Sequence, residues 1–263
     1  MARVHPSAIV DPKAQLAEQV QVGPYSLVGA GVRVGEGSEI GSHVVLAGNT
    51  TIGRNNRIFP HSSIGTIPQD KKYAGEDTQL LIGDGNTIRE FCLINTGTVQ
   101  GGGQTRIGSN NWIMGYTHIA HDCIIGSNTI IANAVQLAGH VHVDDWTVIG
   151  GTAAVHQFVR LGAHSMCGGA STLVQDLPPF TVCSGSPARP HGVHLEGLKR
   201  RNFSAESIAS LRRAYRIVYR ENRSLAEARV ALDELIQKTP EESAAPLRVL
   251  AEFLAVPGRG IIR

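Results

Sequence analysis

VQVGPYSLVGAGVRVGEGSEIGSHVVLAGNTTIG, residues 20–53, places one aliphatic side chain at every sixth position: Val22, Val28, Val34, Ile40, Leu46 and Ile52. Glycine follows most of them, at Gly23, Gly29, Gly35, Gly41 and Gly53. The same register runs back to Leu16 and Val10 and forward to Ile58 and Ile64, and it resumes at Ile82, Ile88 and Ile94. After a slip of one residue it continues from Ile107 through Ile113, Ile119, Ile125, Ile131, Leu137, Val143, Ile149, Val155 and Leu161 to Cys167 and Leu173. A period of six is neither helical nor that of a simple strand. It belongs to a coil with three flat sides, each side one short strand plus a corner. The aliphatic residue points inward and stacks on its counterpart 18 residues away, with coils at the strand-pairing distance of ~4.8 Å. Glycines and other small residues are expected at the corners, where backbone angles are unusual.

The rest of the composition suits this scaffold. Charged residues make up only 17% and aromatics 5%, yet the aliphatic residues are abundant and regularly spaced, so disorder is excluded. A formal net charge of +2 is too small to argue for nucleic acid. No apolar run is long enough for a signal peptide or a membrane span. Cys92, Cys123, Cys167 and Cys183 are widely separated and form no CxxC pair. Reduced thiols in a cytoplasmic protein are therefore expected.

Two excursions interrupt the repeat, TIPQDKKYAGEDTQLL at 66–81 and NTGTVQGGGQTR at 95–106. Loops thrown from a rigid scaffold commonly carry function, although tolerated insertions read the same way. After Leu173 the repeat fades into a proline-rich stretch. We divide the chain into a β-helix over 1–190 and a helical domain over 191–263. Helices are predicted after Ser204, after the capping box Ser224-x-x-Glu227 and after a second capping box at Thr239-Pro240-x-Glu242. Lys199, Arg200, Arg201, Arg212, Arg213, Arg216, Arg220 and Arg223 cluster in this tail against only Glu206 and Glu221. They read equally as a solvated helix face or as a docking surface for an acidic partner. Without interleaved aromatics they do not suggest a nucleic-acid site.

Six of the eleven histidines lie between residues 118 and 164. The 18-residue coil puts His121, Gly139 and Gln157 at one corner in successive coils, with His140 and His156 beside them. His121, His140 and His156 should then form a column down one edge, and if the second excursion replaces two hexads plus one residue, Thr66, where the first excursion departs with Asp70, Lys71 and Lys72, falls on the same edge. A metal would need converging imidazoles. The γ-class carbonic anhydrases, built on a similar prism, carry His-x4-His, whereas His118 and His121 are three apart, so no metal is expected. A purely structural role is weak for exposed corner residues. A histidine general base remains, since neutral imidazole accepts a proton from a hydroxyl near pH 7. Asp122 stands next to His121 to orient it.

The hexads resemble the left-handed hexapeptide-repeat β-helix family, and the left hand is taken from that resemblance, because parallel crossovers are normally right-handed. A homotrimer with sites between neighbouring prisms is expected on the same ground. The segments HIAHDC (118–123), LAGHVHVDD (137–145), AVHQF (154–158), QDKKYAGE (69–76), GTVQGGG (97–103) and EGLKRR (196–201) resemble the UDP-N-acetylglucosamine O-acyltransferases of lipid A biosynthesis over essentially the whole chain. The resemblance implies transfer of an R-3-hydroxyacyl group from acyl carrier protein to the sugar 3-hydroxyl, with no cofactor. His121 would be the base, supported by Asp122, and the Gly139 amide would stabilise the oxyanion. Asp70, Lys72, His118 and Gln157 would bind sugar nucleotide and acyl group, with His140 and His156 lining the cleft. Glu196 and Arg200 would contact the nucleotide. His194 stands where the family has asparagine, Asn95 and Thr96 replace a more basic pair, and Pro187 replaces a histidine. Gly169 matches the position that limits acyl length, and glycine there leaves room for a longer chain. The basic tail, Lys199 to Arg220, would dock the carrier protein. The resemblance sets aside the rival readings: an N-acyltransferase with an added uridine-binding domain, a coenzyme A-dependent acetyltransferase, and a non-catalytic scaffold.

Overall fold

A computed structural model describes all 263 residues. The inward aliphatic residues do what their period requires. Val22 pairs in register with Ile40, Ile40 with Ile58 and Ile58 with Ile88, so each stacks on its counterpart in the next coil. Three parallel faces result. The first has eleven strands, from Arg3–Val4 to Ala188–Val193; the second nine, from Ile9–Val10 to Thr172–Leu173; the third eight, from Gln15–Leu16 to Arg160–Leu161. Chain order runs first, second, third face and round again. The only antiparallel pair closes the prism, Thr181–Gly185 with Ala188–Val193. That last strand crosses residue 190, and the first helical residue is Leu195.

The corners differ from expectation. The glycines after the aliphatic positions, Gly65 with φ 78° apart, do not supply the unusual backbone angle. They allow coil-to-coil approach: a Cβ on Gly35 would lie 2.6 Å from the carbonyl carbon of Gly53. The left-handed angle falls two residues later, and mostly on side chains larger than glycine, as at Tyr25, Asp122, His140 and Phe158 with φ near 60°. Such a conformation costs an L-residue on the order of 1 kcal/mol, and stacking between successive corners offsets it. Tyr25, His43, His61, Phe91 and Tyr116 form one continuous ring ladder between the first and second faces, each aromatic pair worth ~0.5–1.5 kcal/mol. The interior also carries polar rungs. Asn56, Asn86 and Asn111 are buried, each amide bonding neighbouring coils, so they cost little.

Both excursions are shorter than their sequence limits. Gln79–Ile82 and Gln104–Ile107 are paired strands of the third face, which leaves 67–78 and 96–103 as the loops. The tail has four helices: α1 (Leu195–Arg200), α2 (Ala205–Tyr219), α3 (Leu225–Gln237) and α4 (Glu241–Ala255). The short α1 was not foreseen. Ser204 caps α2 and the Ser224–Glu227 box caps α3 as expected. The second box does not form, because the Thr239 hydroxyl donates back to the Leu235 carbonyl at 2.7 Å. No helix is long and apolar enough to cross a membrane.

Candidate active site

His121 and Asp122 follow the second-face strand His118–Ile119 at the corner toward the third face. The backbone of Asp122 is left-handed there, φ 60°, which turns its carboxylate back against the preceding imidazole. His121 Nδ1 lies 2.8 Å from Asp122 Oδ2, and the two side chains are 11% and 1% exposed. An ionised carboxylate only accepts. Nδ1 of neutral His121 therefore carries the proton, and Nε2 presents its lone pair. One coil on, a Cβ on Gly139 would meet that ring at 2.5 Å from Cε1 and 2.7 Å from Nε2. Only glycine fits against the imidazole. The Gly139 N–H has no hydrogen-bond acceptor within the chain, so an unpaired donor belongs to the residue that packs against the imidazole.

The neighbouring imidazoles divide. His140 touches His121 edge-on, with ring centroids 5.1 Å apart, stacks on Phe158 and holds Nε2 3.7 Å from Asp122 Oδ2. Burial lowers its proton affinity, opposed by Asp122 and Asp70. His118 bonds Asn95 Oδ1 at 3.0 Å, and burial, then His121, lowers its proton affinity too. His156 does not join a histidine column. It is exposed and donates from Nδ1 to the Gln157 carbonyl. The corner column is instead Asp122, His140 and Phe158, flanked by His121, Gly139 and Gln157. Donor atoms of His121, Asp122 and His140 lie within 4.8 Å of one another, but Asp122 is already engaged by His121 and by Thr98. A cation there would have to break those bonds.

Both excursions leave from this edge, the first as expected from the placement of Thr66. Thr66 pairs with Asn95, whose Nδ2 donates to Thr66 Oγ1 and the Ile67 carbonyl. Asp70 is half-buried and accepts from the Lys72 amide, while the Lys72 side chain is exposed. Gly169 lies elsewhere, exposed at the corner between the first and second faces and packed on Gly151.

The tail separates residues that sequence treats alike. Glu196, Lys199, Arg200, Arg212, Arg213, Arg216 and Arg220 are exposed, with Lys199 3.5 Å from Glu196. Arg201 is not part of a free basic face. It donates to the Trp146 carbonyl at 2.9 Å, lies over the Trp146 ring and reaches His164. His194 is buried beneath α1, its Nδ1 donating to the His164 carbonyl at 2.9 Å.

Residues 104–139 match the bacterial transferase hexapeptide model, and residues 176–262 match domain 2 of UDP N-acetylglucosamine O-acyltransferase. A Thiobacillus denitrificans protein named acyl-[acyl-carrier-protein]–UDP-N-acetylglucosamine O-acyltransferase is 55% identical over all of both chains. The LpxA structure from Acinetobacter baumannii superposes with TM-score 0.95 at 42% identity, covering 99% of each chain. The UDP-N-acetylglucosamine O-acyltransferase from Moraxella catarrhalis gives 0.94, also at 42% identity and 99% of each chain. The chain belongs to the UDP-N-acetylglucosamine O-acyltransferase family. Its fold is accordingly the left-handed parallel β-helix with a C-terminal helical domain.

Within this O-acyltransferase fold the sequence reading missed the groups that surround the His121–Asp122 pair. Thr98 binds both carboxylate oxygens of Asp122, Thr105 Oγ1 accepts from the Asp122 amide at 2.8 Å, and Asn95 holds His118. The GTVQGGG motif was visible, but its contact with Asp122 depends on loop conformation, which has no period to read.

Proposed function

We propose that the chain transfers an R-3-hydroxyacyl group from acyl carrier protein to the 3-hydroxyl of UDP-N-acetylglucosamine, the first step of lipid A biosynthesis, with His121 as general base. The observation that carries this reading is the free Nε2 of His121 set against the free N–H of Gly139. Nε2 takes the proton of the sugar hydroxyl as its oxygen attacks the thioester carbonyl. The carbonyl oxygen becomes an oxyanion and accepts from the Gly139 N–H, a contact worth more in the transition state than in the ground state. Collapse expels the thiolate, which takes the proton back from His121. Asp122 fixes the tautomer and stabilises the transient imidazolium. The thioester is already activated, so no cofactor is required.

His118, His140, Asp70, Lys72, His156 and Gln157 would line the sugar and acyl site on this edge. His194, Glu196 and Arg200 would serve the nucleotide, and exposed Lys199, Arg200, Arg212, Arg213, Arg216 and Arg220 an acidic carrier protein. Gly169 would set acyl length. It stands at a different corner from His121, and a homotrimer that packs prisms corner to corner would bring the two kinds of corner together. The reading places the enzyme in the cytoplasm and the division between prism and tail near residue 190. The test is acyl transfer with UDP-N-acetylglucosamine and a series of hydroxyacyl carrier proteins. His121→Ala should lose turnover, and unchanged transfer would overturn the base. Equal use of acyl-coenzyme A would remove the role given to the basic tail.

A further inference from the structure

We infer that the loop 96–103 is a fixed cover for Asp122 and that Thr98 is a positioning residue acting on His121 through that carboxylate; the inference rests on His121 being the base. Thr98 holds both oxygens of Asp122, its backbone N–H donating to Oδ1 at 2.8 Å and its Oγ1 donating to Oδ2 at 2.6 Å. The direction of the hydroxyl proton is settled from the other side. The Gly101 N–H donates to Thr98 Oγ1 at 3.2 Å, capping the 3-10 turn Val99–Gly101, so the hydroxyl accepts there and its proton faces the carboxylate.

Each glycine of the triplet has a reason. A Cβ on Gly101 would lie 2.0 Å from Asp122 Cγ, so the loop closes over the carboxylate only without a side chain. Gly102 and Gly103 turn the chain back to the third face with φ of 94° and 79°, a region that favours glycine. Asp122 Oδ2 is thereby shared between two donors, His121 Nδ1–H and Thr98 Oγ1–H. The second donor draws carboxylate charge away from the imidazole and prevents the carboxylate from rotating. The remaining titratable groups facing the pair are His118, His140 and, beyond His140, Asp70.

Thr98→Val keeps the shape and the backbone N–H but removes the hydroxyl, both the proton given to Asp122 and the acceptor of the Gly101 N–H, which retains the Thr98 carbonyl at 3.0 Å. A hydrogen bond to a charged group is lost, so kcat should fall about ten- to a hundredfold with KM for the sugar nucleotide little changed. The undivided carboxylate should favour the protonated imidazole and move the acid limb of kcat/KM to higher pH. Thr98→Ser should restore both kcat and the profile. Thr98→Ala gives the same reading if Thr98→Val fails to fold. A variant with wild-type kcat and pH profile overturns the inference, as does one that lowers Tm and kcat while leaving the acid limb in place, since packing alone would do that. If His121→Ala kept full activity, the base itself would fail, an outcome distinct from either.

Discussion

Gly139 faces His121 from the next coil so closely that a Cβ built on it would meet imidazole Cε1 at 2.5 Å. Gly139→Ala must therefore displace the imidazole, the Gly139 amide or both. The prism should survive, because Gly139 lies outside the paired strands and its N–H bonds nothing in the chain. Acyl transfer should fall by about a hundredfold or more, the scale of losing one oxyanion donor, with circular dichroism unchanged. Retained activity would mean that Gly139 and His121 do not act together.

The tail contains two kinds of arginine. Arg212 and Arg216 are exposed on α2, whereas Arg201 is held by Trp146 and His164. Replacing both Arg212 and Arg216 by Glu should raise KM for the carrier protein about tenfold at low salt, with kcat near that of the wild type. The difference should shrink as salt shortens the screening length from ~10 Å at 0.1 M to ~3 Å at 1 M. Arg201→Glu should instead lower Tm, since it breaks a packed contact. Equal KM for both double-Glu variant and wild type would leave the face without a partner.

These contrasts mark how far the sequence could be read. The inward Ile and Val positions fixed the faces, because a period of six held over many coils leaves one arrangement that buries them. The 18-residue repeat brought His121 to Gly139 by counting alone, and Thr66 to the same edge once the second excursion is taken as two hexads plus one residue. It did not distinguish Arg201 from Arg212, since both stand in one charge run and only packing separates them. Nor did it reveal Thr98, because a loop has no period to place a hydroxyl over Asp122. The corner glycines misled for a different reason. Close coil approach, rather than a left-handed angle, requires Gly23 and Gly35, while Asp122 and His140 carry the left-handed angle themselves.

Acid should loosen the joint between prism and tail. His164 is packed among Trp146, Phe180 and Phe203. Burial first, then the charge of Arg201, lowers its pKa from 6.5 to about 4, opposed by Asp145, with His194 adding to the lowering. The unfolded chain therefore binds this proton more readily than the folded one. The full stability is present above pH 6.5 and is lost as pH falls toward 4. Tm measured from pH 7 to pH 4 should fall less steeply for His164→Gln than for the wild type, whatever the offset between them at pH 7. Parallel slopes would show that another group controls the acid loss.

Arg160 and Asp176 hold the end of the chain on the prism. Their side chains meet at 2.7 Å and are 19% and 1% exposed. Asp176 also accepts from the Arg160 amide, and its backbone pairs with Gly260 and Ile262. Arg160 lies over the Phe253 ring of α4 and donates to the Val256 carbonyl. Removing one partner of a buried pair leaves an uncompensated charge, so Asp176→Ala should cost about 3–5 kcal/mol. Replacing both residues with apolar ones of similar size, Arg160→Met with Asp176→Leu, should recover much of that loss, because desolvation cancels most of what the pair gains. Urea unfolding of the single and double variants separates the cases. A double variant as unstable as Asp176→Ala would mean that the hydrogen bonds to the Asp176 carboxylate and from Arg160 to Val256, rather than the pairing of the two charges, hold the tail in place.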